Sequence, residues 1–308
     1  MKRKVLQGAM LFNDYWLGSC YYHQLIAGLG VLGLDGRDVL LNRFLYFKKD
    51  LAAEESVTDE KTAARYIGYK EIRKNLTRRG LVRYIEKGMP VIVGVDCFYL
   101  ESRADTYGQH HDPHLIMVYG FDLGKGELYV TDHNYKNSYF FMEKSVSMEN
   151  IFKANREYRR GIARGKTTCI VLKRRKKKGD FDFLRKIAAE RARLEESRIN
   201  AAESFERLKE MFAAGGNAVR EGYGKAISLI EKAKRSRQLL SCTALAPVMG
   251  DAIEELVSIY TFFTALLWKM ERQNDFGYAK DKLDKIFRKF DRAAELENRI
   301  HLKLEEGI

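Results

Sequence analysis

The sequence predicts a mixed α+β domain over residues 1–178, followed by an all-α domain over residues 179–308. Three observations carry this. Val91-Ile92-Val93-Gly94-Val95 and His114-Leu115-Ile116-Met117-Val118-Tyr119-Gly120-Phe121 are continuous apolar runs, as expected of strands buried on both faces. From Asp180 onward the apolar residues recur only at helical spacing. The 308 residues include just three prolines, Pro90, Pro113 and Pro247, which suits long uninterrupted helices.

The elements follow in order. Val5 to Phe12 is a short apolar lead-in. Ser19 to Leu32 is an apolar helix, closed by Gly33 with Leu34-Asp35-Gly36 as its exit. Asp38 to Lys48 reads as a second helical piece, and Leu51 to Tyr66 is polar and peripheral. Ile72, Leu76, Leu81 and Ile85 give Tyr69 to Lys87 helical spacing, in two pieces because Gly80 interrupts it. Gly88-Met89-Pro90 stops it before the first buried strand. After the second strand, Asp122-Leu123-Gly124-Lys125-Gly126 is turn chemistry. Glu127 to Thr131 returns as a strand. Ser138 to Met142 is a further strand, Ser147 to Ala154 a helix and Thr167 to Leu172 the last strand. The helices that follow are Asp180 to Ala214, Ala218 to Leu240, Ala246 to Gln273 and Tyr278 to Glu306. The third of these is apolar almost all round from Leu256 and is expected inside a bundle.

An apolar fraction of 45% supports a sizeable core. The net charge of +13 suits an anionic partner: nucleic acid, an acidic protein or an anionic membrane surface. The basic residues are mostly interleaved with acids along helices, which disfavours nucleic acid. The one dense run, Lys173 to Lys178, reads as a solvated linker. Leu256 to Trp268 is too short to span a bilayer, which takes about 20 residues. No secretory signal is read, so the expected location is cytoplasmic. The four cysteines, Cys20, Cys97, Cys169 and Cys242, lie far apart, none paired at metal-site spacing. Cys97 and Cys169 fall within apolar runs and are expected to be inert.

Gly18-Ser19-Cys20 stands just before the first apolar helix. A helix N-terminus favours a thiolate, because its unpaired N–H groups and dipole stabilise negative charge. The same groups can receive the oxyanion of a tetrahedral intermediate. A cysteine nucleophile needs a base, and the base needs an orienting group. With the hairpin centred near Gly124, His114 stands almost opposite Asn134. Asp132, two residues away, then faces the same side of the sheet and can reach the imidazole. Spacing alone does not separate this triad from a core cysteine and a structural histidine. A metal reading of His110, His111, Asp112, His114, Asp132 and His133 competes, but no known zinc spacing fits and no metal is expected.

Four segments bear on this choice: Gly18-Ser19-Cys20, Gly88 to Leu100, His111 to Asp122 and Leu128 to Asp132. Together they resemble the papain-like N-terminal domain of the butirosin biosynthesis protein H family. They also resemble cysteine-peptidase-like proteins of the bacteriocin-processing type. The resemblance implies a papain-like fold and a Cys20-His114-Asp132 triad. It further implies acyl transfer from the pantetheine thioester of an acyl or peptidyl carrier protein to an amine. Cys20 would carry the acyl group, His114 would move the protons and Asp132 would hold the His114 tautomer. The protein itself would bind no cofactor; phosphopantetheine would come as the carrier's donor arm. Papain-like enzymes place a Gln six residues before the cysteine, where this chain has Asp14. Asn13 beside it and Ser19 are therefore further candidates around the oxyanion, and Tyr99 is a candidate for the pocket wall. The helical domain is expected to cap the site, to pair two copies or to dock the carrier. A cysteine peptidase or amidase with the same triad is the second reading. A non-catalytic binding module on a papain-like scaffold is the third.

Overall fold

The computed structural model describes residues 2–13, 20–43, 45–55, 64–65, 67–133, 140–176, 190–243 and 246–306. The chain divides into two units. One comprises Met1–Val39 with Asp59–Asp180, the other Leu40–Thr58 with Phe181–Ile308.

The first unit is built on a seven-stranded sheet whose described pairings are all antiparallel. Its strands are β1 (Arg3–Val5), β4 (Tyr69–Lys74), β5 (Val91–Asp96), β6 (Pro113–Asp122), β7 (Glu127–His133), β8 (Phe141–Ser147) and β9 (Cys169–Arg174). The order is β4-β9-β5-β6-β7-β8, and β1 pairs with the far half of β6. Every residue of β5 is buried, as its continuous apolar run requires. Val91, Val93 and Val95 face a core shared with Leu81 and Ile85 of helix α2 (Arg78–Glu86). Met148, Ile151 and Ala154 of helix α3 (Met148–Gly161) complete that side.

Helix α1 (Cys20–Val31) covers the other side. A Cβ on Gly28 would stand 2.5 Å from the Leu172 side chain and 3.7 Å from Met117. Glycine there lets the helix lie close on the sheet. Cys97 and Cys169 are buried, and burial pushes their thiols up to about 12 and about 11, so both are inert.

Several sequence expectations are corrected. Tyr69–Lys74 is a strand, and only Arg78–Glu86 is helical, capped by Thr77, whose hydroxyl accepts the Gly80 N–H. The segment Tyr-Lys-Glu-Ile-Arg-Lys fits a period of two as well as one of 3.6. Six residues of pairing with β9 make it a charged edge strand. Lys173 and Arg174 continue β9, so the basic run begins inside the sheet.

Among its described residues the second unit holds four long helices: α4 (Arg191–Ala214), α5 (Gly216–Leu240), α6 (Ala246–Arg272) and α7 (Leu283–Glu306). It also takes in the hairpin of β2 (Leu45–Lys48) and β3 (Ala52–Glu55). Residues 40–58, placed with the first domain by sequence, therefore belong here, and the unit is not purely α. A short 3-10 helix, Gly36–Arg43, precedes the hairpin in place of the predicted longer helix. Leu45, Tyr46 and Phe47 are buried, and the Phe47 N–H donates to Ser197 Oγ at 2.8 Å. Helix α6 is not enclosed all round. Leu256, Ile259, Tyr260, Phe263 and Leu267 face inward, whereas Val248 and Trp268 are exposed. A buried polar network crosses this unit. Arg237 pairs with Glu297 at 2.7 Å, and the Tyr260 hydroxyl donates to Glu297 at 2.6 Å. His301 donates from Nδ1 to the Glu297 carbonyl at 2.7 Å and meets the Ser197 hydroxyl through Nε2 at 2.9 Å. Among the described residues, no helix is long and apolar enough to cross a membrane.

Candidate active site

Cys20 is the first residue of α1, so its own N–H and those just after it lie among the unpaired donors of the helix start. His114 stands at the beginning of β6, next to Pro113. The pairing of Met117 with Thr131 and Val118 with Val130 carries Asp132 to the same face of the sheet as His114. A shift in register follows between Val118 and Gly120, beyond the site.

The three side chains form a line. His114 Nε2 donates to Asp132 Oδ1 at 2.7 Å, and the His114 side chain is also hydrogen-bonded to Cys20. With Nε2 engaged by the carboxylate, Nδ1 is the ring nitrogen that faces the sulfur. Asp132 is fully buried and His114 is 5% exposed, so water does not compete for this contact. The Asp132 carboxylate is further fixed by the His133 N–H, at 2.8 Å to Oδ1, and by Lys144 Nζ, 3.7 Å from Oδ2.

The electrostatics follow from these contacts. Burial raises the Cys20 thiol, but the bond to His114, its charge and the backbone N–H groups of Leu115 and Tyr21 outweigh it. The thiol ends below its usual range. Burial likewise opposes charge on His114, yet Asp132 and Cys20 hold the imidazole up at about 9. Burial pushes the Asp132 carboxyl up, and the adjoining His114, Lys144 and His133 bring it below the ordinary carboxylate value. These effects lower the thiol and raise the imidazole, which moves the pair toward thiolate and imidazolium and away from the neutral form.

A cavity of about 300 Å³ lies against the chain neighbours of Cys20 and His114. Its wall includes Tyr21, Gly94, Leu115, Tyr158, Thr168 and Ile170. Gly94 makes room there, since a Cβ on it would stand 2.6 Å from the Tyr158 ring. Burial, and then the charge of Cys20, raise the Tyr158 phenol, which places that hydroxyl in the field of the thiolate.

The other sequence candidates fare differently. Asp14 and Ser19 lie outside the described residues. Asn13 spends its side-chain carbonyl on the Phe141 N–H at 2.7 Å, which leaves its amide nitrogen as the group it can offer an oxyanion. Tyr99 is not in the wall of the cavity. Its ring meets Phe98 edge-on at 4.9 Å and packs on the core on the far side of the sheet. The alternation of a strand ends at Asp96, and the 3-10 turn Cys97–Tyr99 redirects that side chain.

Among the described residues, His114, Asp132 and His133 offer atoms within 4.8 Å of one another that could hold a metal ion. His114 Nε2 is already committed to Asp132, and His110 and His111 stand apart from this group. His111 instead pairs with Asp96 at 2.7 Å.

Sequence reasoning missed Tyr158, Lys144 and Gln24. Gln24 is one helical turn beyond Cys20, fully buried, and its Oε1 accepts the Thr131 hydroxyl at 2.5 Å. Spacing of four from the cysteine was a usable signal for Gln24. Tyr158 and Lys144 come from elements whose placement no local pattern encodes.

Residues 59–133 match the family described as Butirosin biosynthesis protein H, N-terminal. The resemblance read from the sequence holds over that span. The span includes His114 and Asp132; Cys20 lies before it. No curated protein matches the chain.

Proposed function

We propose that the protein is a cysteine-dependent acyltransferase on a papain-like scaffold. It takes an acyl or aminoacyl group from the pantetheine thioester of an acidic carrier protein and delivers it to an amine. The observation that carries this reading is the buried line from Cys20 through His114 to Asp132 at a helix start.

His114 holds the proton of Cys20, and the thiolate attacks the thioester carbonyl. The oxyanion that forms is within reach of N–H groups at the start of α1. As the intermediate collapses, the bond from carbonyl carbon to pantetheine sulfur breaks and His114 gives its proton to the leaving thiol. The acyl group is then on Cys20. An amine attacks this second thioester, His114 takes the amine proton, and Cys20 leaves as thiolate. Asp132 stabilises the imidazolium in both halves and keeps Nδ1 toward the sulfur. The net charge of +13 favours encounter with an acidic carrier through electrostatic steering.

Water in place of the amine would make the same site a peptidase or amidase. The match to a family named for a biosynthesis protein favours transfer. Incubation with acyl-loaded carrier proteins tests the reading by intact mass. The expected result is an acyl adduct on Cys20, absent in Cys20→Ala and discharged by an amine. Failure of every carrier and activated thioester to acylate Cys20 would remove the proposal. Cleavage of peptides abolished by Cys20→Ala, with no amine acylation, would replace it with the hydrolase.

A further inference from the structure

The cavity lined by Tyr21 and Leu115 reaches the edge strand β4 through Arg73. Tyr21 follows Cys20 in α1, and its hydroxyl is hydrogen-bonded to Glu71 on the edge strand β4. Glu71 also receives Arg73 Nη2 at 3.3 Å. Arg73 borders that cavity and also a second cavity of about 500 Å³. Both spaces therefore border Arg73, one lined by Tyr21 and Leu115, the chain neighbours of Cys20 and His114, and the other lying along the edge strand β4.

Their linings differ in chemistry. The first cavity is walled by Tyr21, Ile92, Leu115, Tyr158 and Ile170, with Thr167 and Thr168 among them; the Thr168 hydroxyl donates to Asn155 Oδ1 at 3.3 Å. The second is cationic: Arg65, Lys70, Arg73 and Arg175 line it against the single carboxylate of Glu71, among the described residues. Tyr69, Glu71 and Arg73 alternate along β4 and so face the same side of the sheet, the side that α1 covers. Arg73 pairs with Ile170 across the β4–β9 ladder, and both line the first cavity.

The sheet sets the separation. Arg73 lies on β4 and Leu115, which donates its N–H to the Cys20 sulfur, lies on β6. The order β4-β9-β5-β6 places three inter-strand steps between them, and the pairing of Arg73 with Ile170, Ile170 with Ile92 and Ile92 with Met117 adds a two-residue offset along β6, roughly 16 Å in all at the usual spacings. A donor that reacts at Cys20 and reaches Arg73 is therefore long, slender, neutral but hydrogen-bonding along its middle and anionic at its far end.

We infer that Arg73, with Arg65 and Arg175, forms a binding subsite for the phosphate of the donor's pantetheine arm. The inference rests on the acyl-transfer reading above and adds where that arm lies. An extended pantetheine, with two amide units and their flanking carbons, reaches roughly 15 Å at the pitch of an extended chain, which matches the span. Its amides meet Thr167 and Tyr158, and its phosphate meets guanidinium groups, the side chain best shaped for phosphate oxygens. Glu71 keeps the Arg73 side chain directed along the wall through the 3.3 Å contact.

The test compares Cys20 acylation, read as rate of mass increase, by four donors with one acyl group: S-acyl pantetheine, its 4′-phosphate, acyl-coenzyme A and the acyl-loaded carrier. The expected result is a kcat/KM at least tenfold higher for the phosphate than for the unphosphorylated arm. That ratio should fall toward one in Arg73→Ala and in Arg65→Ala, and stay partly intact in Arg73→Lys. Circular dichroism checks that each variant is folded, and because the readout is a ratio between two donors, a general loss of activity cannot imitate it. Equal rates with and without phosphate, or a ratio unchanged in Arg73→Ala, would overturn the subsite while leaving acyl transfer standing. If no donor acylates Cys20, both fall. Preference for acyl-coenzyme A over the carrier would keep the subsite and move its ligand to a free cofactor.

Discussion

Replacing Asp132 with Asn tests the charge logic of the site with little change in shape. Asn can still accept from His114 Nε2 and from the His133 N–H, the two donors that meet Asp132 Oδ1 at 2.7 and 2.8 Å. What it loses is the negative charge. That charge is the foremost of the groups that hold His114 at about 9 against burial, the ordinary value being 6.5. The thiolate–imidazolium pair therefore spans pH values from below the usual thiol range up to about 9. Without the carboxylate, burial acts on an imidazolium that keeps Cys20 as its stabilising partner among the described residues, with the cationic Arg103 and Lys144 close by. The falling limb of the acylation–pH profile should then move from about 9 to 6.5 or lower. The shift corresponds to about 3 kcal/mol of lost imidazolium stabilisation at 1.36 kcal/mol per pH unit. Because a less stable imidazolium also stabilises the thiolate less, the rising limb should move up and the plateau should narrow from both sides. The assay is the rate of Cys20 acylation by a small activated thioester, followed by mass from pH 5 to 10. Iodoacetamide alkylation of Cys20 reports the thiolate limb separately. A variant whose falling limb stays at about 9 would refute the argument that Asp132 sets the charge of His114.

Four further outcomes follow from packing and burial. Gly30→Ala should destabilise the first unit by about 1–3 kcal/mol, seen as a lower Tm, because its Cβ would stand 2.5 Å from the backbone oxygen of Gly8. Gly28→Ala should cost less, since its clash is with the movable Leu172 side chain. Arg237→Met should cost about 3–5 kcal/mol in denaturant titrations, because it strands the fully buried Glu297 carboxylate; replacing Glu297 with Met as well should recover much of that loss. Burial first, and the nearby Arg237 and Arg198, lower His301 to about 4 even though Glu297 opposes this. The unfolded chain then takes up a proton at His301 below pH 6.5 that the folded chain refuses. Stability should therefore fall as pH drops from 6.5 toward 4, by up to about 3 kcal/mol from this residue. Thermal melts at pH 7 and pH 5 should show the drop, and His301→Gln should reduce it.

Much of the candidate site was legible because it is local or nearly so. Cys20 stands at the start of an apolar run that can only bury itself as a helix on a sheet. His114 and Asp132 share one hairpin, and the alternation of side chains about its turn brings them to one face. Val91 to Val95 announces a strand buried on both sides, and it is one. Tyr69 to Lys74 was misread because six residues carry too little periodicity to separate strand from helix, and pairing with β9, far away in the chain, decides it. Residues 45–48 became a strand for the same reason, held by α4 through Ser197.

The sequence by itself determined a mixed sheet-and-helix part followed by a helical part, and it marked a cysteine, a histidine and an aspartate for one site. Periodicity and turn chemistry act over a few residues, so they carry that much. Only the tertiary structure decided what surrounds those three groups: Lys144 against the carboxylate, Tyr158 over Gly94, and Arg73 bordering both the cavity lined by Tyr21 and Leu115 and a cationic one. Those neighbours come from strands and helices distant in sequence. Burial and charge at the site depend on all of them together, and no local pattern in the chain encodes that sum.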